Sequence, residues 1–198
     1  MIINHFRFFT EYRKQFGSIK KTDKVNNIIT MLVSLQTYSY LFNSAVFCEQ
    51  FAYLAATVMH ETADTFAAFK EVRQVATDTD RRKRVRALQD RYWGTGYYGR
   101  GPVQLTWQRN YAWAENVTGR PLLNEPDLLL TDLPLGYEVI VKGMCSGAYT
   151  GKSLNHYINA RGVDYINARR IVNGTDKAKE IAALAAKFFC VFTASVGV

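Results

Sequence analysis

Tyr97-Tyr98-Gly99-Arg100-Gly101-Pro102-Val103-Gln104-Leu105-Thr106-Trp107, with Asn110-Tyr111 just beyond, sets glycines, amides, a hydroxyl and aromatic rings side by side. Glycines allow turns and close backbone approach. Aromatic faces stack on the C–H surfaces of pyranose rings. Side-chain amides bond sugar hydroxyls and N-acetyl groups, and a hydroxyl can hold a water. The mixture suits a carbohydrate cleft, and it also suits a plain structural turn. A phosphate-binding loop does not fit, because no Gly-Lys-Ser/Thr follows the glycines.

Upstream of this segment, Phe51, Ala52, Leu54, Ala55, Val58 and Met59 give Cys48 to about His60 a broad apolar helical face. The helix is expected to end near Glu61–Thr62. A carboxylate closing an apolar helix has a desolvated side and an open side, as a general acid needs. An exposed helix-end carboxylate is the plainer reading. His60-Glu61 is not a zinc-protease motif, since position 64 is Asp64 rather than His. Glu71 lies ten residues beyond Glu61, and two carboxylates joined by a short turn can flank one cleft. Asp64, Asp78, Asp80 and Asp90 compete for the second role. Lys70 and Arg73 could hold Glu71 in a surface ion pair.

Elsewhere helical periodicity dominates. Phe6, Phe9 and Tyr12 mark a first helix ended by Gly17 and Ser18. Thr22 or Asp23 is a candidate cap for a second, with Val25, Ile28, Ile29, Leu32, Val33 and Leu35 inside. Arg81 to Arg91 reads as a short basic helix or a solvated arm. Val103 to Trp107 alternates weakly. Pro121, Pro126 and Pro134 punctuate loops before a helix from about Leu135 to Ala148. Asp164 to Ile171 is expected to be helical. Thr175 or Asp176 would cap a last helix, Lys177 to Thr193. Its lysines lie beside an apolar side, which suits core packing or, less simply, disruption of an outer membrane. The expected fold is mainly α with a small β or loop element, as a single domain over residues 1–198.

The chain has 198 residues, 48% hydrophobic and 21% charged, which excludes wholesale disorder. Its net charge of +8 points to an anionic partner: nucleic acid, a membrane surface or a cell-wall polymer. Residues 1–24 carry +4, 25–77 carry −2, 78–91 carry +3 and 161–187 carry +3. Residues 81–91 invite a nucleic-acid reading, but no helix-turn-helix, zinc or RNA-recognition motif accompanies them. Cys48, Cys145 and Cys190 are widely spaced and odd in number, so buried free thiols are expected. No metal or cofactor is implied. No secretory signal is evident. Ile28 to Phe47 is apolar but carries too many polar residues for a clean membrane span, and is expected to be buried helix.

His60-Glu61-Thr62, then Tyr98-Gly99-Arg100-Gly101-Pro102-Val103-Gln104-Leu105-Thr106 with Asn110-Tyr111, then Ala168-Arg169-Arg170-Ile171-Val172-Asn173-Gly174 together resemble glycoside hydrolase family 19. Within it the pattern is most similar to the phage and prophage endolysin branch, related to chitinases, and Phe8-Phe9-Thr10-Glu11-Tyr12-Arg13 resembles the start of such endolysins. The resemblance implies a lysozyme-like, two-lobed helical fold and hydrolysis of β-1,4 bonds between amino sugars in peptidoglycan. A chitinase is the alternative, and a non-catalytic glycan-binding protein a third reading. Glu61 matches the general acid. Gln104 and Thr106 match the pair that binds sugar and positions water. Asn110 and Asn173 match cleft amides, Tyr98 a cleft aromatic, and Arg100 belongs to the same substrate-binding segment. Chitinases place a second Glu about twenty residues after the first. Here Arg81 to Arg86 fills that region, so Glu71, which matches a Glu of endolysin relatives, is chosen instead.

The resemblance further implies inversion at the anomeric carbon if the two carboxyls stand roughly 6.5–9.5 Å apart, and retention if they stand near 5 Å. It implies a monomer acting on peptidoglycan strands and the anionic cell envelope, without nucleic acid. Synthesis in a host cytoplasm and release through a holin complete the expectation.

Overall fold

The computed structural model describes residues 2–197. A short strand, β1 (Ile2–Ile3), leads into α1 (His5–Phe16). The Asn4 side chain caps α1 by accepting from the Arg7 N–H, and Arg13 and Lys14 place cations at its negative end. Phe8, Phe9 and Tyr12 are buried, whereas Phe6, expected on the inner face, is 81% exposed. Helix α2 (Thr22–Thr37) follows. Lys21 is its N-cap, with no side-chain hydrogen bond, so neither Thr22 nor Asp23 caps it. Val33 points outward while Met31 takes a core position.

The apolar stretch from Ile28 to Phe47 is not one helix. It breaks at Thr37, makes a 3-10 turn at Ser39–Leu41, and restarts as α3 (Phe47–Glu61). No helix among the described residues is long and apolar enough to cross a membrane. Helix α3 is buried from Gln50 to Met59, which makes it the central rod of the larger core. It runs along the last helix, Ala178–Ser195, in the most extensive helix pairing among the described residues.

Strand β2 (Phe69–Lys70) precedes α4 (Asp80–Asp90), the basic segment, which is a helix capped by Thr79. Strand β3 (Arg100–Gly101) pairs antiparallel with β2, and Arg100 also bridges to Leu105. These pairings are the small β element at the cleft. Helix α5 (Gln108–Thr118) lies where no element was expected, and the single turn α6 (Leu128–Thr131) lies in the proline-punctuated stretch expected to be loop. Helix α7 (Leu133–Ser146) starts two residues early, with Pro134 in its first turn, where a missing N–H costs nothing. The Asp132 side chain caps it by accepting from the Leu135 N–H.

Beyond a short α8 (Leu154–Tyr157) comes the hairpin β4 (Ile158–Asn159) and β5 (Gly162–Val163). The helix expected over Asp164 to Ile171 is a 3-10 helix at Asn167–Ile171, with residues 164–166 outside it. The last helix is α9 (Ala178–Ser195). Lys177 is its N-cap, in the left-handed region at φ 60°, and no Thr175 or Asp176 side chain caps it. Strand β6 (Val196–Gly197) closes the chain against β1.

Two apolar clusters result. The larger gathers α1, α2, α3, α9 and part of α7. The smaller holds Leu105, Tyr111, Ala114, Leu122, Leu129, Leu135 and Val139. Helix α7 and Tyr149 belong to both. The thiols are all free, but Cys190 is exposed and the other two only half-buried, against the expectation of three buried thiols. Cys190 faces outward because the core side of α9 is taken by Ile181, Ala185, Phe188 and Phe192.

Candidate active site

Glu61 stands at the last turn of α3, at the negative pole of a buried helix. Thr62 locks the exit, donating to the Val58 carbonyl at 2.8 Å and accepting from the Phe66 N–H at 2.9 Å. Ala63, Asp64 and Phe66 then turn the chain in the left-handed region. The balancing cation is Arg169, whose Nη1 donates to Glu61 Oε1 at 2.6 Å and whose Nε donates to the Asp176 carbonyl at 3.0 Å. Arg169 is 4% exposed, so this pair is well shielded on the arginine side. Among the described residues Glu61 Oε2 has no protein donor, and Glu61 lines a cleft of about 310 Å³.

The facing wall is the motif segment. Val103, Gln104, Leu105, Thr106, Trp107 and Asn110 line the cleft, with Asn173 and Tyr149 completing it. Glu61, Gln104, Thr106, Asn110 and Asn173 thus converge from three distant stretches of chain. Gln104 and Trp107 sit at φ 56° and 76°, strained for residues with a Cβ. Backbone bonds hold them there: Leu105 N–H to the Arg100 carbonyl at 2.9 Å and Trp107 N–H to the Tyr97 carbonyl at 2.9 Å. The Gln104 amide donates to the Phe69 carbonyl at 2.8 Å, tying the loop to β2. Thr106 lines the cleft, and its Oγ1 donates to the Gln104 carbonyl at 2.8 Å, so the hydroxyl's lone pairs are not used by that bond. Asn110 Nδ2 donates to the Thr106 carbonyl at 2.7 Å.

Two of the expected substrate-binding residues are placed elsewhere. Arg100 is 3% exposed, and its guanidinium is spent on Asp127, the Gly96 and Tyr98 carbonyls and the Tyr111 hydroxyl. It builds the loop rather than the cleft wall. Tyr98 is stacked on Trp93 at 4.7 Å, with the Arg100 guanidinium 3.9 Å from its ring centre. Its ring is therefore already engaged within the protein.

The five candidates for a second carboxylate separate clearly. Asp64 pairs with Lys24, Asp78 with Arg82, Asp80 with Lys83, and Asp90 with Arg73 and Arg86. Glu71 is held by neutral donors instead. Oε1 accepts from Gln89 Nε2 at 2.8 Å and the Tyr92 hydroxyl at 2.6 Å, and Oε2 accepts from the Gly99 N–H at 2.8 Å. Gly99 is needed for close approach: a Cβ there would fall 2.7 Å from Gln104 Oε1 and 3.1 Å from Glu71. Glu71 and Gln104 therefore meet at one point of the backbone. Neither Lys70 nor Arg73 pairs with Glu71; Lys70 lies over the Tyr98 ring.

The sequence reading assigned no role to Arg169, Gln89 or Tyr92. Arg169 carried a faint signal, between Ala168 and Ile171 in a segment with core spacing. Gln89 carried none, since its role depends on where the 71–74 segment folds back.

Comparison with known proteins follows the same residues. Residues 48–148 match the family model for glycoside hydrolase family 19, chitinase class I. The acidic 27 kDa endochitinase of Solanum lycopersicum is 46% identical over 48 residues, 24% of this chain and 19% of its own length. Inactive chitinase-like protein 1 of Hevea brasiliensis is 36% identical over 93 residues, 41% of this chain and 30% of its own. The chain thus spans less than a third of these curated relatives. Chitinase C from Streptomyces griseus HUT6037 superposes with a TM-score of 0.65 at 20% identity, over 96% of this chain and 78% of that one. A bacterial family 19 chitinase gives 0.59 at 20% identity, over 96% of both chains. These structures share the mainly helical, lysozyme-like fold. With half of its length matched by the family model, the chain belongs to glycoside hydrolase family 19, the class I chitinase family.

Proposed function

We propose that this protein hydrolyses β-1,4 bonds in glycans containing N-acetylglucosamine, with Glu61 as general acid. The observation that carries this reading is the convergence of Glu61 with Gln104, Thr106, Asn110 and Asn173 in one cleft. Arg169 occupies Oε1, so the proton transferred to the leaving oxygen would sit on Oε2. Thr106 would hold the attacking water, and Glu71 would accept its proton as the sugar is attacked from the opposite face. Inversion at the anomeric carbon follows on this reading when the two carboxyls stand roughly 6.5–9.5 Å apart.

The names of the relatives support chitin-type polymers as substrate. A second reading, peptidoglycan, is supported by the net charge of +8, which favours an anionic polymer. On that reading the protein is an endolysin, made in a host cytoplasm and released to the wall through a holin. Digestion of purified peptidoglycan and of chitin oligomers, with products weighed by mass spectrometry, separates the two. New reducing ends at muramic acid identify a muramidase, and products from chitin alone identify a chitinase. Binding to both polymers with no new reducing ends would make this a non-catalytic glycan-binding protein and overturn the proposal.

A further inference from the structure

We propose that Gln89 and Tyr92, at the end of α4 and just after it, are positioning residues for the Glu71 carboxylate. The inference rests on the reading of Glu71 as the catalytic base.

Helix α4 is an odd helix on ordinary grounds. It has one buried residue, Gln89, and no apolar stripe facing the core. Polar side chains attach it to the protein: Asp90 pairs with Arg73, Arg86 donates to the Gln74 carbonyl at 3.2 Å, and Gln89 makes the buried contacts. Its Nε2 donates to Glu71 Oε1 at 2.8 Å and to the Val72 carbonyl at 3.0 Å, and its Oε1 accepts from the Gln74 N–H at 2.6 Å. One side chain thus fixes both the backbone after Glu71 and the carboxylate itself. Tyr92 adds a second donor to the same carboxylate oxygen at 2.6 Å. Burial and the adjacent Glu71 push the Tyr92 phenol above its ordinary range, so it stays a donor. Its ring packs on cleft-lining Trp107 at 4.9 Å, which ties the clamp to the sugar-binding wall.

The clamp is neutral, and that matters for a base. An amide, a phenol and a backbone N–H orient the carboxylate without adding a formal charge beside it. Arg73 is near in sequence, but Asp90 holds it at 2.8 Å and holds Arg86 at 2.9 Å. Glu71 is therefore oriented by an amide, a phenol and a backbone N–H, with no cation paired to it among the described residues.

Tyr92→Phe is the sharpest test, because it removes one oxygen whose hydrogen-bond partner is Glu71 and keeps the ring contact. Hydrolysis of chitin oligomers, or of peptidoglycan if that proves the substrate, is measured for Tyr92→Phe, Glu71→Gln and the double variant. The expected result is a fall in kcat of about 10-fold for Tyr92→Phe with KM within about twofold, the loss of one hydrogen bond to a charged group. In the Glu71→Gln background the same substitution is expected to cost nothing further. An equal loss in both backgrounds, or none in either, overturns the clamp while leaving Glu71 as base. Near-parental activity of Glu71→Gln overturns the base reading itself and the clamp with it. Gln89→Met provides a second variant of similar shape. It should also lower kcat, and its helical content and thermal midpoint show whether α4 stays in place.

Discussion

Arg169 holds one oxygen of Glu61 at 2.6 Å, and Glu61 lines the cleft with no protein donor to its other oxygen among the described residues. That asymmetry anchors one oxygen and leaves the other available for the general-acid role proposed for Glu61. Similar residue-level logic governs Gly99, whose N–H reaches Glu71 Oε2 and which has no room for a methyl group. Gly99→Ala is expected to lower kcat about 10-fold by displacing Glu71 or Gln104, with little change in thermal midpoint. Steady-state kinetics beside a melting curve checks it. The thiols give a prediction independent of activity. Burial pushes Cys48 up to about 11 and Cys145 up to about 12, whereas Cys190 is exposed. A thiol reagent at pH 8 should modify one cysteine rapidly, Cys190, and the other two after denaturant is added. At this scale the sequence was legible for placement, since Glu61 and Thr106 line the same cleft. It was not legible where burial decides the job. Arg100 and Arg169 look alike in a string, yet one knits a loop and the other holds the acid.

Among the elements, α7 shows how a local signal becomes structure. Asp132 caps it and also meets Arg120 at 3.0 Å, while Gly147 ends it in the left-handed region at φ 81°. Asp132→Ala is expected to cost about 1 kcal/mol of stability, in the range of a lost N-cap, measured by urea denaturation. Helices with strong periodicity, α3 and α9, were readable to within a residue or two. Helix α5 was not, because it follows a strained Trp107 with no side-chain cap and has only Tyr111 and Ala114 buried. The prolines drew attention to loops, though Pro134 starts a helix. Helix α4 was readable as basic, with a short helix and a solvated arm both open, and its single inward residue, Gln89, matters only after the chain has folded back.

Over the whole molecule, the cleft is the seam between two apolar clusters that share α7 and Tyr149. Phe192 joins Phe8, Phe51 and Phe188 at the centre of the larger one. Phe192→Ala is expected to cost about 3–5 kcal/mol, read as a shift of the denaturant midpoint. Burial also raises Tyr38 and Tyr111 to about 12, and Cys48 and Cys145 as above. The folded state holds these protons more tightly than the unfolded chain, whose groups titrate near 9 and 10. Their stabilisation is complete below pH 9 and is lost as pH rises toward 12. The urea midpoint should therefore fall between pH 9 and 11. Helical class and cleft-forming motifs were legible over this distance, since ordered motifs imply a common fold. The pairing of Glu71 with α4 was not, because it depends on contacts between segments that no local pattern encodes. The most direct test of the whole account is the rate of glycosidic bond cleavage by Glu61→Gln on chitin oligomers and peptidoglycan, with folding checked by the thermal midpoint. Loss of a positioned general acid predicts a fall of at least about 100-fold in a folded protein; cleavage within a few-fold of the parent would contradict the assignment of Glu61 as the acid.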